Sequence, residues 1–292
     1  MFDIIVNPKA GKGKALKTLE KVKACFDNNG IEYELHTTEK PLHATEITRE
    51  LNEKREKLDL VIIGGDGTFN EVLNGITNFE TVTVGFVPSG TGNDYVRGAK
   101  IPTDTDAALK RIIVGKTGYT DFIDMGDKRC LNVAGGGMDT DVLVRYAEMK
   151  HFSGKIKYYI ALLHVLLKLD FHKILFSVDG SEPVEKKVFL MSIANGVYIG
   201  GGMPISPNSD VNDGYLDVVI VNELKRGKVL GLLMKFLNGG KHIEEPVTEV
   251  YRCKEARVEI LDWGKTQADG EVMDRKVLDC KIRHNELRVY VD

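Results

Sequence analysis

The sequence predicts a two-part α/β protein. Residues 1–120 form an open parallel sheet with helices on both faces, and residues 121–292 form a mainly antiparallel β-sandwich. Three observations carry this. Up to Val114, short runs rich in Val and Ile alternate with helical patterns, the pattern of βαβ units. Each of these runs delivers a turn of Gly, Ser, Thr or Asn to the next helical stretch, and such turns open on one edge of a parallel sheet. From Tyr119 onward short strands with polar turns dominate, the signature of an antiparallel sandwich.

In order, a strand over Phe2–Val6 enters Asn7-Pro8-Lys9-Ala10-Gly11-Lys12-Gly13, and a helix follows from Ala15 to Asn29. This turn is neither a Walker A loop nor a dinucleotide fingerprint. Its glycines and lysines suit phosphate contact, although any one lysine reads equally well as a solvated residue. A second strand, Ile31–Thr38, ends at Thr38, and His43–Glu56 is an amphipathic helix. The apolar run Leu58–Ile63 then stops at Gly64-Gly65-Asp66-Gly67, with a helix beginning at Thr68 and burying Phe69, Val72, Leu73 and Ile76. Strand, glycine turn and helix start make a natural phosphate site. Asp66 would repel phosphates unless a divalent cation such as Mg2+ lay between. The competing reading is a plain turn followed by a Thr68–Glu71 capping box. Thr81–Pro88 is a fourth strand and delivers Ser89-Gly90-Thr91-Gly92-Asn93-Asp94, where Asn93 and Asp94 can cap a short helix. Thr105–Val114 is the next helix. The turns Asn7–Gly13, Thr38, Gly64–Asn70 and Ser89–Asp94 should therefore converge on one ligand.

In the second half, strands are expected at Tyr119–Met125 and at Cys130–Ala134, the latter ended by Gly135-Gly136-Gly137. Helices follow at Asp141–Met149, Lys155–Leu169 and Lys228–Leu237. Strands are expected at His172–Val178, Glu185–Ala194, Tyr215–Val221, Glu249–Cys253, Ala256–Leu261, Val277–Arg283 and Leu287–Val291. Two loops carry carboxylates. Asn208–Tyr215 fails the EF-hand spacing and reads as an Asx-rich turn. In Gln267-Ala268-Asp269-Gly270-Glu271, Asp-Gly is a hairpin signal, and spacing alone does not single out Glu271.

With 292 residues, net charge −3 and pI about 6.2, the chain is not built around a broad nucleic-acid-binding face. Four scattered cysteines read as reduced thiols of a cytoplasmic protein, and the N-terminus enters a strand without a signal-peptide pattern. The most apolar window, Tyr158–Leu169, is too short to span a bilayer. Two stretches, Lys155–Leu169 and Lys225–Lys241, mix lysines with large apolar residues as interfacial helices do. The first reads better as a helix packed on the sandwich, and the second stays open between packing and lipid contact.

Taken in order, NPKAGKGK, IIGGDGTFNEVLNG, VPSGTGNDYVRG, NDGYLDVVIV and QADGE resemble the bacterial lipid kinases with a diacylglycerol kinase catalytic domain, nearly end to end. GGDGT alone also looks like NAD kinase and, more distantly, phosphofructokinase. The resemblance implies transfer of the ATP γ-phosphate to a lipid hydroxyl, typically diacylglycerol, presented at a membrane surface to a cytoplasmic or peripheral enzyme. It implies nucleotide contacts from Asn7, Pro8, Lys9, Ala10, Gly11, Lys12, Gly13, Thr38, Gly64, Gly65, Asp66, Gly67, Thr68, Asn70, Glu71, Thr91 and Asn93. Glu271 matches the family's general base with Asp269 beside it. Asp66 would orient Mg2+, and Asp210, Asp213 and the Tyr215 carbonyl match a structural Mg2+ site. Lys12 departs from the family, many of whose members carry a small residue there. A homodimer is compatible with the resemblance. Two other readings are phosphorylation of a soluble acceptor, as in NAD kinase, and a nucleotide-binding regulator without turnover. Against the first, Asn195 is followed by Gly196 and not by the Glu expected of that family's acceptor-gripping pair.

Overall fold

The computed structural model describes residues 1–149 and 154–292. The chain divides into two compact units. The first holds Met1–Phe122 together with two returning segments, Asp210–Gly214 and Arg283–Asp292. The second holds Ile123–Ser209 and Tyr215–Ile282.

The first unit alternates strand and helix: β1 (Phe2–Val6), α1 (Lys14–Asn28), β2 (Tyr33–Thr37), α2 (His43–Lys54), β3 (Leu58–Gly64), α3 (Asp66–Gly75), β4 (Val82–Pro88), α4 (Asp94–Gly98), α5 (Thr105–Val114) and β5 (Thr117–Asp124), which runs on into the second unit. The parallel order is β2-β1-β3-β4. Ile4–Val6, Leu60–Ile63 and all of β4 are buried, because helices cover both faces of a parallel sheet. On one face Ala15, Leu19, Val22 and Phe26 of α1 and Leu109 and Ile112 of α5 pack on Ile4, Val6, Val61 and Val87. On the other, Phe69 of α3 meets Phe86 edge-on at 4.8 Å. The chain runs from β1 outward to β2, then returns to place β3 on the other side of β1. That reversal is where an open sheet leaves a crevice beyond its strand ends.

The second unit is antiparallel. Its strands are β6 (Arg129–Cys130), β7 (Val133–Gly137), β8 (His172–Val178), β9 (Val184–Ala194), the short pair β10 (Tyr198–Ile199) and β11 (Met203–Pro204), β12 (Leu216–Asn222), β13 (Thr248–Cys253), β14 (Glu255–Ile260), β15 (Thr266–Ala268), β16 (Glu271–Met273) and β17 (Val277–Tyr290), whose end lies in the first unit. Residues of β8, β9, β12 and β14 alternate into a core of Ile174, Phe176, Met191, Ile193, Val218, Val258 and their neighbours. A second core, on Phe189, Leu190 and Val221, is covered by α6 (Met138–Glu148), α7 (Gly154–Lys168) and α8 (Arg226–Leu237). All four cysteines are free thiols.

Three local expectations change. The helix after the glycine turn starts at Asp66, so Thr68 lies inside it and no Thr68–Glu71 capping box forms; Glu71 instead accepts the Ala44 amide of α2 at 3.2 Å. Gly135–Gly137 continue β7 rather than ending it, because they pair with Ser192, Met191 and Leu190 of β9, and a Cβ on Gly136 would lie 2.6 Å from Ile260 Cδ1. Val277–Tyr290 is one strand and not two, with Asn285 taking a positive φ of 58° instead of breaking it.

Asp121 fixes the returning segments to the first unit. It is wholly buried, and its carboxylate accepts the Gly214 amide (2.8 Å) and the Asn285 amide (3.3 Å) and faces His284 Nδ1 (2.9 Å). Its own amide donates to the Val211 carbonyl. Replacing it with Ala leaves the buried Gly214 amide without an acceptor and removes the contacts to Asn285 and His284, a loss of about 2–4 kcal/mol. Asp121→Ala should lower the urea midpoint correspondingly, and an unchanged midpoint would contradict this role. In the second unit His172 stacks on Trp263 and faces Asp141 at 3.1 Å. Burial alone would lower its pKa, but the Asp141 hydrogen bond and charge outweigh it and raise the pKa above 6.5. The raised value stabilises the fold below 6.5, and this contribution is lost as pH rises through the folded pKa. Unfolding free energy measured in urea should therefore fall above pH 6.5, and His172→Phe should flatten that slope.

Candidate active site

The loops after β1, β3 and β4 meet beyond the carboxyl ends of those strands. The Gly64 carbonyl accepts both the Ser89 amide (2.6 Å) and the Gly90 amide (3.1 Å), and the Asn7 amide donates to the Ile63 carbonyl (3.0 Å). Asn7 Nδ2 donates to Thr68 Oγ1 at 3.2 Å. Side chains have no room at these contacts. A Cβ on Gly65 would lie 2.9 Å from Gly90 Cα, one on Gly90 would lie 2.6 Å from Gly65 Cα, and one on Gly11 would lie 2.0 Å from the Ser89 carbonyl oxygen. Gly11, Lys12 and Gly13 take positive φ of 58°, 57° and 88°, a conformation that strains Lys12. Thr38 is buried behind this cluster, its amide donating to the Val6 carbonyl.

Asp66 opens α3, and its carboxylate accepts the Asp94 amide (3.1 Å) and the Tyr95 amide (3.2 Å). It thereby caps α4, whose own N-cap residue Asn93 has φ 53° and makes no side-chain cap. Asn93 Oδ1 is buried and lacks a hydrogen-bond partner. An oxygen without a donor, in the loop that leans on Asp66, fits a hard cation such as Mg2+. Asn70 is buried on α3, Pro8 and Ala10 are half-buried, and Lys9, Gly67 and Thr91 are exposed.

The second carboxylate group sits in the second unit. Ala268 and Glu271 flank a turn whose central residues, Asp269 and Gly270, have φ 48° and 83°, a two-residue hairpin of the primed kind. The Asp269 carboxylate accepts three successive amides, from Leu131 (2.8 Å), Asn132 (2.9 Å) and Val133 (3.2 Å). Gln267 supports the same hairpin: its Oε1 accepts the Gly270 amide (3.1 Å) and its Nε2 donates to Asp139 (2.9 Å). Burial pushes the Asp139 carboxyl up to about 6 against the hydrogen bonds it accepts from Gln267 and Thr140. Glu271 stays partly exposed and pairs with Lys128 Nζ at 2.6 Å. Asp139 and Lys128 had no motif to mark them, and Gln267 stood in the QADGE stretch without a role.

Asp210 Oδ1 accepts the Asn212 amide at 3.0 Å, an Asx turn, and Asp210 is exposed while Asp213 is half-buried. Asp210, Asp213 and the Tyr215 carbonyl are all oxygen donors, a set suited to Mg2+ and not to a softer metal. A further acidic cluster, Asp3, Glu34 and His36, has ligand atoms within 4.8 Å of one another, but Arg55 donates to both Asp3 (3.1 Å) and Glu34 (2.7 Å). That guanidinium already occupies both carboxylates of the cluster.

Residues 2–125 match the family described as diacylglycerol kinase catalytic domain, and residues 132–291 match the YegS C-terminal NAD kinase beta sandwich-like domain. The diacylglycerol kinase of Staphylococcus carnosus is 31% identical over 272 residues, 92% of this chain and 87% of that protein. The diacylglycerol kinase of Bacillus subtilis is 29% identical over 273 residues, 92% of this chain and 88% of that protein. In fold, a putative diacylglycerol kinase from Bacillus anthracis superposes with TM-score 0.80 at 23% identity, over 100% of this chain and 97% of its own. An NAD kinase from Archaeoglobus fulgidus, solved with ATP, gives 0.53 at 12%, over 100% and 94%.

The glycines of the cluster separate by cause. Gly65 and Gly90 are required by packing. Gly67 is exposed in the first turn of α3, has no positive φ and would meet nothing within 4 Å of a Cβ. Gly67→Ala should therefore stabilise the protein by up to ~1 kcal/mol through helix propensity. Gly90→Ala should destabilise it by about 1–3 kcal/mol through overpacking. Urea unfolding of both variants checks the opposite signs.

Proposed function

Starting from the chain's membership of the diacylglycerol kinase family, a family of lipid kinases, we propose that this protein transfers the γ-phosphate of ATP to the hydroxyl of a lipid alcohol, most simply diacylglycerol, giving phosphatidic acid. The observation that carries the reading is the backbone-to-backbone meeting of three glycine-bearing loops at the strand-order reversal. Phosphoryl transfer asks mainly for positioning and charge neutralisation, and amides at a strand–helix turn supply both.

The Asn7–Gly13 loop and the glycine amides of 64–67 hold the triphosphate, with Pro8, Lys9, Ala10 and Lys12 shaping the first loop. Thr38, Thr68, Asn70, Glu71, Thr91 and Asn93 line the nucleotide's edges. Glu71 does so while capping α2, which fixes that helix against α3. Asp66 and Asn93 are the oxygen ligands that would face a Mg2+ ion on the phosphates, and Asp210, Asp213 and the Tyr215 carbonyl would hold a second, structural one. Mg2+ when bound spreads the negative charge that builds on the γ-phosphate and its leaving oxygen. Glu271 is the general base. It takes the proton of the lipid hydroxyl as that oxygen bonds to the γ-phosphorus and the bond to the ADP oxygen breaks. Lys128 holds the Glu271 carboxylate in place. Asp269 serves as a clamp, since three amides occupy it.

Phosphorylation of a soluble dinucleotide has less support. Gly196 cannot carry the acidic side chain that such an acceptor site uses: a Cβ there would lie 1.9 Å from Asn132 Oδ1.

Radiolabelled ATP incubated with diacylglycerol, a sphingoid base, undecaprenol, NAD or no acceptor should label diacylglycerol most strongly. Labelling of NAD alone would overturn the reading. Glu271→Gln should lose a hundredfold or more in kcat with an unchanged unfolding midpoint, the loss expected for a general base. Asp269→Asn should lose stability first. Gly67→Ala, though no less stable, should bind ATP at least tenfold more weakly by calorimetry.

A further inference from the structure

The hairpin that carries Glu271 is held from two sides. Asp269 ties it to Leu131–Val133, and a second tie runs through Gln267 to Asp139 in the first turn of α6. The Gly270 amide donates to Gln267 Oε1 at 3.1 Å, and Gln267 Nε2 donates to Asp139 Oδ2 at 2.9 Å. Asp139 and Gln267 are both buried. Only a hydrogen fits beside this relay on β7: a Cβ on Gly135 would lie 2.7 Å from Asp139 Oδ2 and 3.3 Å from Gln267 Nε2. Gly135 also pairs with Gln267 in the sheet, which fixes the relay in register.

The polarity of the relay is set at Asp139. A glutamine amide has one accepting end and one donating end, and an ionised carboxylate only accepts. Gln267 therefore offers its oxygen to Gly270 while its nitrogen faces the Asp139 carboxylate. Asp139 Oδ1 is committed to the Thr140 amide (2.7 Å) and hydroxyl (3.3 Å), whereas Gln267 is the described partner of Oδ2. A proton taken up by Asp139 settles on Oδ2, because the amide opposite can invert and a backbone N–H cannot. Inversion turns Nε2 toward the Gly270 N–H. Two donors then face each other, and the turn before Glu271 loses its bond.

Burial raises the Asp139 carboxyl to about 6, against the Gln267 and Thr140 hydrogen bonds, and the Asp141 charge on the same helix adds to the rise. Asp141 meets His172 of β8 and shares with Arg145, Glu148, His164 and Lys168 a separate cavity that Asp139 does not line. From β15 and β7 the facing groups are Gln267 and Gly135, neither of which titrates, and on β16 Glu271 is engaged by Lys128.

We propose that Asp139 is a positioning residue for the phosphoryl transfer, acting through Gln267 to hold the Asp269–Gly270 turn in the form that presents Glu271. This deepens the kinase reading and rests on its choice of Glu271 as base. The turn is held while Asp139 is ionised and released when it is protonated.

In the full chain, kcat with diacylglycerol in detergent micelles should fall about tenfold for each pH unit below about 6. Asp139→Asn sets a donor opposite Gln267, as protonation does. It should lose at least tenfold in kcat at about pH 7.5, with KM for ATP unchanged, and flatten the profile. Gln267→Glu alone sets two carboxylates against each other and should lose as much. Combining the two changes reverses the polarity: the new amide donates, and the new carboxylate accepts from it and from the Gly270 amide. The double variant should recover most of kcat, which a role in filling space would not allow. Without any turnover, the Gly270 amide resonance of isotope-labelled wild type should shift with a midpoint near pH 6 and stay still in Asp139→Asn. A Gly270 resonance that does not titrate, Asp139→Asn with wild-type kcat, or a double variant no better than Asp139→Asn overturns the proposal and leaves the kinase reading standing. Titration of Gly270 in a protein that phosphorylates no acceptor sinks the kinase reading and leaves the coupling of Asp139 to the hairpin standing.

Discussion

The nucleotide edge of the first unit depends on one close approach, Gly65 against Gly90. Two loops touch there through their backbones, and the Gly64 carbonyl receives two amides from the opposing loop. The distance is set by hydrogen-bond length and not by side-chain volume, so no residue with a Cβ fits. Once the loops after β3 and β4 are pinned, the Asp66 carboxylate falls within reach of the first amides of α4. The loop after β1 is then wedged by Gly11 against Ser89. Helix starts and glycine amides are held together before any ligand arrives, and such preorganisation lets a backbone bind phosphate without paying again for ordering.

A second theme runs through the carboxylates. Asp66 caps α4, Glu71 caps α2, Asp121 gathers two returning segments, and Asp269 clamps Leu131–Val133. Each is an anion satisfied by backbone N–H groups, the economical way to bury a charge in a protein. The motif residues therefore do structural work as well as any chemical work. Glu271 differs: it stands at the end of a rigid hairpin, partly exposed, with a lysine as its described partner. That contrast separates a candidate base from the acids that hold its surroundings.

The fold was largely legible because its signals are local. Phe2–Val6, Thr105–Val114 and His172–Val178 appear with the bounds that periodicity gives them. The glycine turns announced the sheet edge, since strand–glycine–helix is a local pattern. What stayed hidden is decided at long range. Thr68 and Glu71 have the spacing of a capping box, yet α3 begins two residues earlier and α2 lies close enough to take Glu71 for itself. Asp121 sits in a strand, and nothing near it in sequence reveals that Gly214 and Asn285 are its partners. Asp139 and Gln267 are likewise 128 positions apart. The loop Asn208–Tyr215 kept both its readings, because the Asx turn at Asp210 and a set of oxygen donors occupy the same residues.

The helices α7 and α8 show why amphipathicity in sequence leaves the question of contact open. An apolar residue at every turn tells that one face is buried; it does not tell how many faces are apolar. Only burial separates Leu162 and Val165, inside, from Leu163 and Leu167, outside, on the same helix. The cost of keeping large side chains in water is real, about 25 cal/mol for each Å² that could be covered, so the exposed stripe on a helix whose other face is buried is not explained by the packing that the sequence pattern announces.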